Sequence, residues 1–251
     1  MNPLAGVGLC VLVLSSSPPT HAQTPTDTIR VGSPAVNAKL LTLGSVVVEN
    51  FVEEDGVRTL RSRTRQTIVP ARAGDNDVVV LRVAHETEGD TTQTVLVLRR
   101  DDLALLHHSV RAARDSASVT VSGLHVTGWA VLPNAPARLI DARLEHPVFP
   151  VEGQIPWLMG LLPLAEGYVA VIPYYSQWQD AFLWRRIEVV ASESVQVGGA
   201  PVDCWKIDAG PLGPPGYRMT RWIDKRTRRV VQSALLGKPG EKAYWAHATA
   251  P

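Results

Sequence analysis

One stretch near the C-terminal end, residues 186–236, constrains the fold more than any other part of the sequence. It contains four runs rich in β-branched and aromatic residues, and turn signals such as Gly198-Gly199 separate the runs. Consecutive strands joined by short turns pair with their neighbours as an antiparallel meander. This stretch is therefore predicted to form antiparallel sheet.

The N-terminal half has the same alternation of strand-like runs and turn signals. Each of three predicted hairpins has two strand-like runs around a turn that contains Gly, Asp or Ser. The paired runs are residues 44–52 with 57–68, 78–85 with 92–100, and 103–111 with 118–129. Turn signals about every ten residues favour a sandwich, a barrel or a large curved sheet over alternating βαβ units. We therefore predict a mainly-β fold, with a large curved antiparallel sheet or an incomplete barrel.

The N-terminus has the pattern of a secretory signal. An apolar run is followed by Thr20-His21-Ala22, which is close to a small-x-small cleavage site. We interpret residues 1–22 as a signal peptide, 23–38 as a flexible leader and 39–251 as a single β-rich domain. No later run approaches the ~20 apolar residues that a membrane-spanning helix needs. We therefore expect a periplasmic or secreted protein with no transmembrane segment in the mature chain.

The segment 149–167 differs in composition from the predicted strands, and it is the one stretch with a helical pattern. Large apolar residues crowd its centre and are interrupted by Gly160 and Pro163. A short helix that is apolar on all sides must be covered by the sheet or by a ligand.

Several short motifs give the second half of the chain a family resemblance. The strand Trp205-Lys206-Ile207 is followed by the hairpin sequence at 222–227, WIDKRT, and is preceded by LMGLLPLAEGY at 158–168. Residues 141–236 thereby resemble a bacterial envelope family of unknown function that is related in fold to the periplasmic lipoprotein carriers. The resemblance implies an incomplete antiparallel barrel whose concave apolar side is covered by a short helical lid and receives acyl chains.

The resemblance also implies a place for a ligand. The lid would consist of Ile155, Trp157, Leu158, Leu161 and Leu162, with Trp205 and Trp222 anchoring the floor or the core beneath it. We expect an exported, non-enzymatic protein that binds an apolar or amphiphilic ligand, such as a lipid or the acyl chain of a lipoprotein. One alternative is an envelope scaffold that binds a partner protein without a cavity. A second is an enzyme of unfamiliar type that uses His107 and His125 with nearby carboxylates.

Other chemistry is weakly indicated. The chain has no nucleophile elbow, phosphate-binding loop, zinc-protease helix or C-x-x-C pair, so we expect no cofactor and no metal site. His107 and His108 are neighbours on a predicted strand and point to opposite faces, so they cannot chelate one ion together. With 25 basic and 24 acidic residues, the chain has no overall field that would attract nucleic acid.

Charge is concentrated locally in one predicted strand. Arg61, Arg63 and Arg65 share a face of the run 57–68 because side chains alternate along a strand. We interpret this row as a solvated face, and the alternative is an electropositive patch for lipid headgroups or an acidic partner. Cys204, the one cysteine outside the predicted signal, is expected to be a buried apolar residue.

Overall fold

The computed structural model describes residues 27–149, 156–212, 218–235 and 243–249. These residues form fifteen strands, the helix α1 (Pro156–Met159) and a 3-10 helix (Ala38–Leu40). The strands are β1 (Asp27–Thr28), β2 (Gly44–Glu54), β3 (Val57–Ala73), β4 (Asn76–Thr87), β5 (Asp90–Arg99), β6 (Leu105–Arg111), β7 (Ser116–Ser122), β8 (His125–Val131), β9 (Arg138–Arg143), β10 (Val169–Ser176), β11 (Ala181–Val197), β12 (Ala200–Pro211), β13 (Met219–Asp224), β14 (Val230–Leu235) and β15 (Ala243–Ala248). The predicted signal peptide and Ile155 lie outside the described residues.

All fifteen described strands belong to one sheet. Its order is β1-β10-β11-β12-β13-β14-β15-β2-β3-β4-β5-β6-β7-β8-β9. Strands β2 to β9 and strands β10 to β15 are two antiparallel meanders, which the pairing of β15 with β2 joins; β1 pairs with β10 in parallel. The sheet is large, curved and open, with β1 and β9 at its ends. The structure thus confirms the predicted mainly-β fold.

Most of the predicted strands are confirmed. The first two hairpins are β2–β3 and β4–β5, and the C-terminal meander is β11 to β14. The prediction of one strand over residues 118–129 is wrong, because the chain turns at Gly123, where φ is 61°. Strand β10 was not predicted: all eight of its residues are buried, so its sequence does not alternate between apolar and polar.

The helix is shorter than the apolar pattern of 149–167 indicates. Within the described residues of that segment, α1 covers only Pro156–Met159. Gly160 is a poor helix former, and Pro163 cannot donate a helical hydrogen bond. After Met159, residues 160–167 therefore continue without helix.

Two apolar cores lie on the curved sheet. The lid core packs α1 and the residues after it against β10 to β13; its buried members are Ile29, Leu103, Phe149, Leu158, Met159, Leu161, Leu162, Leu164, Ala170, Ile172, Tyr174, Ile187, Val189, Ile207, Ala209 and Ile223. The hairpin core lies mainly on β4 to β9; its buried members are Leu81, Val83, Leu96, Leu98, Leu105, Ala117, Val119, Val121, Val126, Ala130, Ile140, Leu144, Val148 and Tyr175. Strand β10 divides the two cores, because the adjacent residues Tyr174 and Tyr175 point to opposite faces.

The described part of the predicted leader, residues 27–38, is held against the sheet. Thr28 pairs with Val171 of β10, and Ile29 is 2% exposed within the lid core. The backbone N–H of Asn37, just before the 3-10 helix, donates to the carbonyl oxygen of Leu161 at 3.0 Å. This part of the chain therefore belongs to the fold and reaches the lid. Among the described residues, no helix is long and apolar enough to cross a membrane.

Candidate ligand-binding site

The lid, defined here as residues 156–164, is a single helical turn that continues into a tight turn. Pro156 begins the helix, where its missing N–H is not needed. Leu161 N donates to Leu158 O at 3.0 Å, and Leu162 N donates to Met159 O at 3.2 Å. Of the predicted lid residues, Leu158, Leu161 and Leu162 are each at most 2% exposed. The structure therefore brings these three side chains together in the lid core.

The lid is attached to the turn between β13 and β14. Arg228 Nη1 donates to the carbonyl oxygen of Leu162 at 3.3 Å. A Cβ added to Gly160 would lie 2.0 Å from the carbonyl oxygen of Arg228, so this close approach requires glycine. The Arg228 guanidinium also lies 4.4 Å from the centre of the Trp205 ring. Arg228 thus joins the lid, the turn and strand β12.

Two predicted tryptophans lie next to the lid. Trp157 is half-buried and contacts both the lid core and the hairpin core. Trp205 packs against the lid core from β12, where Arg228 and Lys225 approach its ring. Both residues lie beside the lid core, and their contact with a ligand stays a prediction.

Trp222 lies apart from the other predicted site residues. Its neighbour on β13, Ile223, points into the lid core, so Trp222 points to the opposite face of the sheet. There it packs in a small outer cluster with Cys204, stacks on Trp245 at 6.3 Å and donates its indole N–H to Glu193. Trp222 is therefore not part of the floor beneath the lid.

Buried hydrogen-bond donors accompany the apolar side chains around the lid core. Trp157 Nε1, the Tyr168 hydroxyl, and Arg221 Nε and Nη1 are buried, with no hydrogen-bond partner among the described residues. Burial raises the pKa of Tyr168 to about 12, so its hydroxyl remains protonated at neutral pH. Leaving a buried donor without an acceptor costs about 1–3 kcal/mol. A molecule that brought acceptors to this core would recover that cost.

Two arginines in the same region were not among the predicted site residues. Arg185 on β11 and Arg221 on β13 are 3% and 2% exposed. Both stand in the apolar phase of their strands, Arg185 two residues before Ile187 and Arg221 two residues before Ile223. A charge in the apolar phase of a strand was the sequence signal that could have found them.

The histidines of the enzyme alternative are at the surface. His125 Nε2 lies 2.5 Å from Asp141 Oδ1, with side-chain exposures of 47% and 80%. His107 contacts Thr120 on the neighbouring strand at 3.4 Å. His108 points the other way, is buried, and donates from Nδ1 to Gln177 Oε1 at 3.1 Å. The described residues contain no group of three or more metal-ligating side chains.

The arginine row of β3 faces solvent. Arg61, Arg63 and Arg65 are exposed, and Arg63 forms an ion pair with Glu49 of the neighbouring strand at 3.0 Å. Exposed pairs of this kind contribute little to stability.

Cys204 is buried, as expected, and burial raises the pKa of its thiol to about 11. An inert thiol agrees with its position in the outer cluster.

Two open clefts are lined by residues outside the lid. One, of about 630 Å³, is lined by residues that include Leu41, Asp77 and Arg99. The other, of about 270 Å³, is lined by residues that include Phe51 and His247. Neither of these two clefts includes a predicted site residue. Because the lid leucines are buried against the sheet, an occupant in their place would have to displace them.

The fold and the site together define the class of this protein as a large open antiparallel sheet with one face covered by a short apolar lid. No family model matches the chain, and no curated protein does. Solved structures match the chain at low identity, and three of them are as follows. The hypothetical lipoprotein YmcC from Escherichia coli K12 is 15% identical, with a TM-score of 0.33, and the match covers 88% of this chain and 91% of that one.

Two further matches are of the same kind. A DUF1329 family protein from Desulfovibrio piger is 12% identical, with a TM-score of 0.26 and coverage of 84% and 86%. A domain from Vibrio parahaemolyticus, provisionally assigned as an outer membrane lipoprotein-sorting protein, is 12% identical, with a TM-score of 0.23 and coverage of 82% and 84%. These neighbours agree with the lipoprotein-sorting-like resemblance seen in the sequence. Because the TM-scores are low, we draw no conclusion about ligand or location from them.

Proposed function

We propose that this protein is an exported, non-enzymatic binding protein of the bacterial cell envelope that holds an apolar or amphiphilic ligand beneath the lid. The observation that carries the proposal is the mixture of apolar surface and unpartnered donors around the lid core. Trp157, Tyr168 and Arg221 place donor atoms without a described acceptor beside leucine and isoleucine side chains. A ligand with an acyl chain and polar acceptors matches both parts of this surface.

The attachment of the lid fits a segment that moves aside. The lid is a single helical turn, which has little stability of its own. Its described polar contacts to the rest of the fold include those from Asn37 and Arg228, which lie near its C-terminal end. A ligand chain that replaces the lid leucines would retain the apolar contact with the sheet. Each CH₂ that such a chain buries contributes roughly 0.8 kcal/mol.

The direct test is to purify the full chain after export from a bacterial host and to record its native mass. A stoichiometric amphiphile, identified by solvent extraction, is the expected result. The paired variant Trp157→Gln with Leu161→Gln should weaken uptake of a fluorescent fatty-acid probe by on the order of tenfold or more. The matched control, Trp129→Gln with Leu139→Gln, changes the same residue types at the exposed surface of β8 and β9.

Two results would contradict ligand binding. One is a clean mass for the protein alone, together with no uptake of the probe. The other is a loss of probe uptake that only follows the loss of folded protein, which would make the lid an ordinary part of the core. Denaturant unfolding of both paired variants separates these effects.

A second candidate function has its own supporting observation. Strand β9 ends the sheet, and its Leu139 is 83% exposed beside Trp129 on β8, which is 38% exposed. An open edge with exposed apolar side chains is suited to a scaffold that binds an envelope protein. A photo-crosslinking side chain at position 139 should then join a partner in cells, while one at the exposed position 57 of β3 should not.

A further inference from the structure

The face of the sheet opposite the lid carries a row of aromatic side chains. Trp222 of β13 stacks on Trp245 of β15 at 6.3 Å, and Trp245 stacks on His247 at 6.2 Å. Phe51 of β2 packs edge-to-face with His247, with 5.7 Å between the ring centres. Gln232 of β14 pairs with both Trp222 and His247, so these side chains share one face. The row therefore lies on the face of the outer cluster, away from the lid.

The smaller of the two open clefts, about 270 Å³, lies at the β2 end of this row. Phe51 and His247 line it with ring surface, and Glu49 and Arg58 line it with charged groups. Gly198, in the turn that joins β11 to β12, also lines the cleft. Its volume is just below the range of about 300–1,000 Å³ that is typical of sites for drug-sized ligands. The cleft therefore suits a small molecule.

His247 and Glu49 offer a hydrogen-bond donor and an acceptor side by side, because they are opposite each other in the pairing of β15 with β2. Arg58 Nη1 can only donate, so His247 Nε2, at 3.3 Å, accepts and Nδ1 carries the proton. Burial and the nearby Arg58 lower the pKa of His247, so the ring is neutral at neutral pH. Glu49 Oε1 accepts from Arg63 at 3.1 Å. Within the described residues, Glu49 Oε2 and His247 Nδ1 have no hydrogen-bond partner.

The charges that line the cleft do not favour an ion. A cation would meet Arg58, whose guanidinium already lies 4.1 Å from the centre of the Trp245 ring. An anion would meet the Glu49 carboxylate, and Arg58 is already paired with Glu53 at 2.6 Å. A wholly apolar molecule would remove both charged groups from water without replacing their hydrogen bonds. The lining is therefore suited to a neutral molecule with several hydroxyl groups.

We propose that this cleft binds a sugar ring, with one hydroxyl donating to Glu49 Oε2 and the adjacent hydroxyl accepting from His247 Nδ1. A hydroxyl both donates and accepts, so two adjacent hydroxyls of a pyranose bond to a carboxylate and an imidazole at once. The C–H face of the ring is apolar and lies against Phe51. The inference goes beyond the proposed function, because it concerns the opposite face of the sheet.

The test uses the full chain and saturation-transfer NMR, which detects weak binding of sugars. The probes are the methyl glycosides of glucose, galactose, mannose and N-acetylglucosamine, and the ionic controls are choline, acetate and inorganic phosphate. We expect at least one glycoside to bind more tightly than every ion. Its analogues that each lack one ring hydroxyl should identify an adjacent pair, with binding weakened by on the order of tenfold for either member.

The cleft variants are Glu49→Gln and His247→Ala. The matched controls, Glu86→Gln and His125→Ala, change the same residue types at exposed positions of β4 and β8. Each cleft substitution should weaken binding of the glycoside by on the order of tenfold, and neither control should change it. Circular dichroism checks that the variants are folded. Glu49→Gln should keep its fold, because it removes only a partly exposed ion pair with Arg63.

A trisaccharide and an octyl glycoside of the preferred sugar identify its source. Tighter binding of the trisaccharide indicates a glycan chain. Tighter binding of the octyl glycoside, if Glu49→Gln weakens it, indicates the headgroup of a glycolipid.

Three results would overturn the sugar site. If no methyl glycoside binds, the aromatic row serves only the stability of the sheet. If binding survives in both Glu49→Gln and His247→Ala, the sugar binds elsewhere on the protein. If choline, acetate or phosphate binds more tightly than every glycoside, the cleft takes an ion. None of these results bears on ligand binding beneath the lid.

Discussion

The lid core and the hairpin core differ in how completely their buried polar groups are hydrogen-bonded. In the hairpin core, His108 donates to Gln177 Oε1, and the Tyr175 hydroxyl donates to Asp180. Arg138 pairs with Asp180 at 2.6 Å and donates to the carbonyl oxygen of Gln177 at 2.7 Å. Gln177 itself keeps an amide nitrogen without a described partner, so this network is nearly but not fully closed.

The donors around the lid core lack such a network within the described residues. Trp157, Tyr168 and Arg221 each have a buried donor atom that no described acceptor reaches. A network that closes on itself makes a core rigid and specific. Donors left open beside an apolar surface are instead suited to a molecule from outside. Under the proposed function, this difference separates a structural core from a binding surface.

The largest effects are expected from truncating one leucine in each core. Leu96 and Leu158 are both fully buried, so Leu96→Ala and Leu158→Ala should each lower the free energy of unfolding by about 2–5 kcal/mol. Only Leu158→Ala should also weaken uptake of the fatty-acid probe, because Leu158 belongs to the lid. Urea unfolding and probe titration of both variants provide the measurements. Equal losses of uptake would mean that the two cores do not differ in function.

The second prediction concerns the loss of folding stability at acidic pH, which we attribute to a buried histidine of the hairpin core. Burial lowers the pKa of His108 to about 4, from its ordinary value of 6.5. Between these values the unfolded chain binds a proton that folded His108 does not, so stability falls as the pH falls from 6.5 to 4. The loss is on the order of 3 kcal/mol and levels out below pH 4.

Urea unfolding at several pH values, with wild type and His108→Leu compared, checks this effect. The difference between the two proteins cancels the titration of the other groups. The variant should lose less stability across this window. An identical pH dependence would show that His108 is not kept neutral by the fold. Arg221, with a pKa of about 10, should contribute nothing in the same window.

The same contrast shows what the sequence could predict. Alternating β-branched runs and glycine turns were sufficient to predict the hairpins, because half-buried antiparallel strands alternate between apolar and polar residues. Strand β10, buried on both faces, has no such period. Trp222 was assigned to the floor or the core beneath the lid by its residue type, whereas its register relative to Ile223 places it on the opposite face. The position of Arg185 and Arg221 in the apolar phase of their strands was visible in the sequence, but their burial depends on long-range packing.

The third prediction compares two glycines that each touch a backbone carbonyl. A Cβ at Gly160 would lie 2.0 Å from Arg228 O, and a Cβ at Gly128 would lie 2.0 Å from Ser118 O. Gly128→Ala should cost about 3 kcal/mol, because its φ of 157° adds strain and the paired strands β7 and β8 cannot separate.

Gly160→Ala should cost less, about 1 kcal/mol, because the lid can move away from the turn. It should also increase the rate of probe uptake, measured by stopped-flow fluorescence. Hydrogen exchange at Leu161 and Leu162 should rise in this variant only. If both substitutions cost the same and the uptake rate is unchanged, the lid is as fixed as the strands.

The smallest effects should have opposite signs, and they separate the two cores most sharply. Without ligand, Arg221→Met removes a buried cation that no described group compensates, so the free energy of unfolding should rise by about 1 kcal/mol. Arg138→Met removes a cation that is bonded to Asp180 and Gln177, so here the free energy of unfolding should fall by about 1 kcal/mol. Urea unfolding of the lipid-free proteins measures both. If both variants lose stability, Arg221 has a partner within the chain, and the lid core is closed in the same way as the hairpin core.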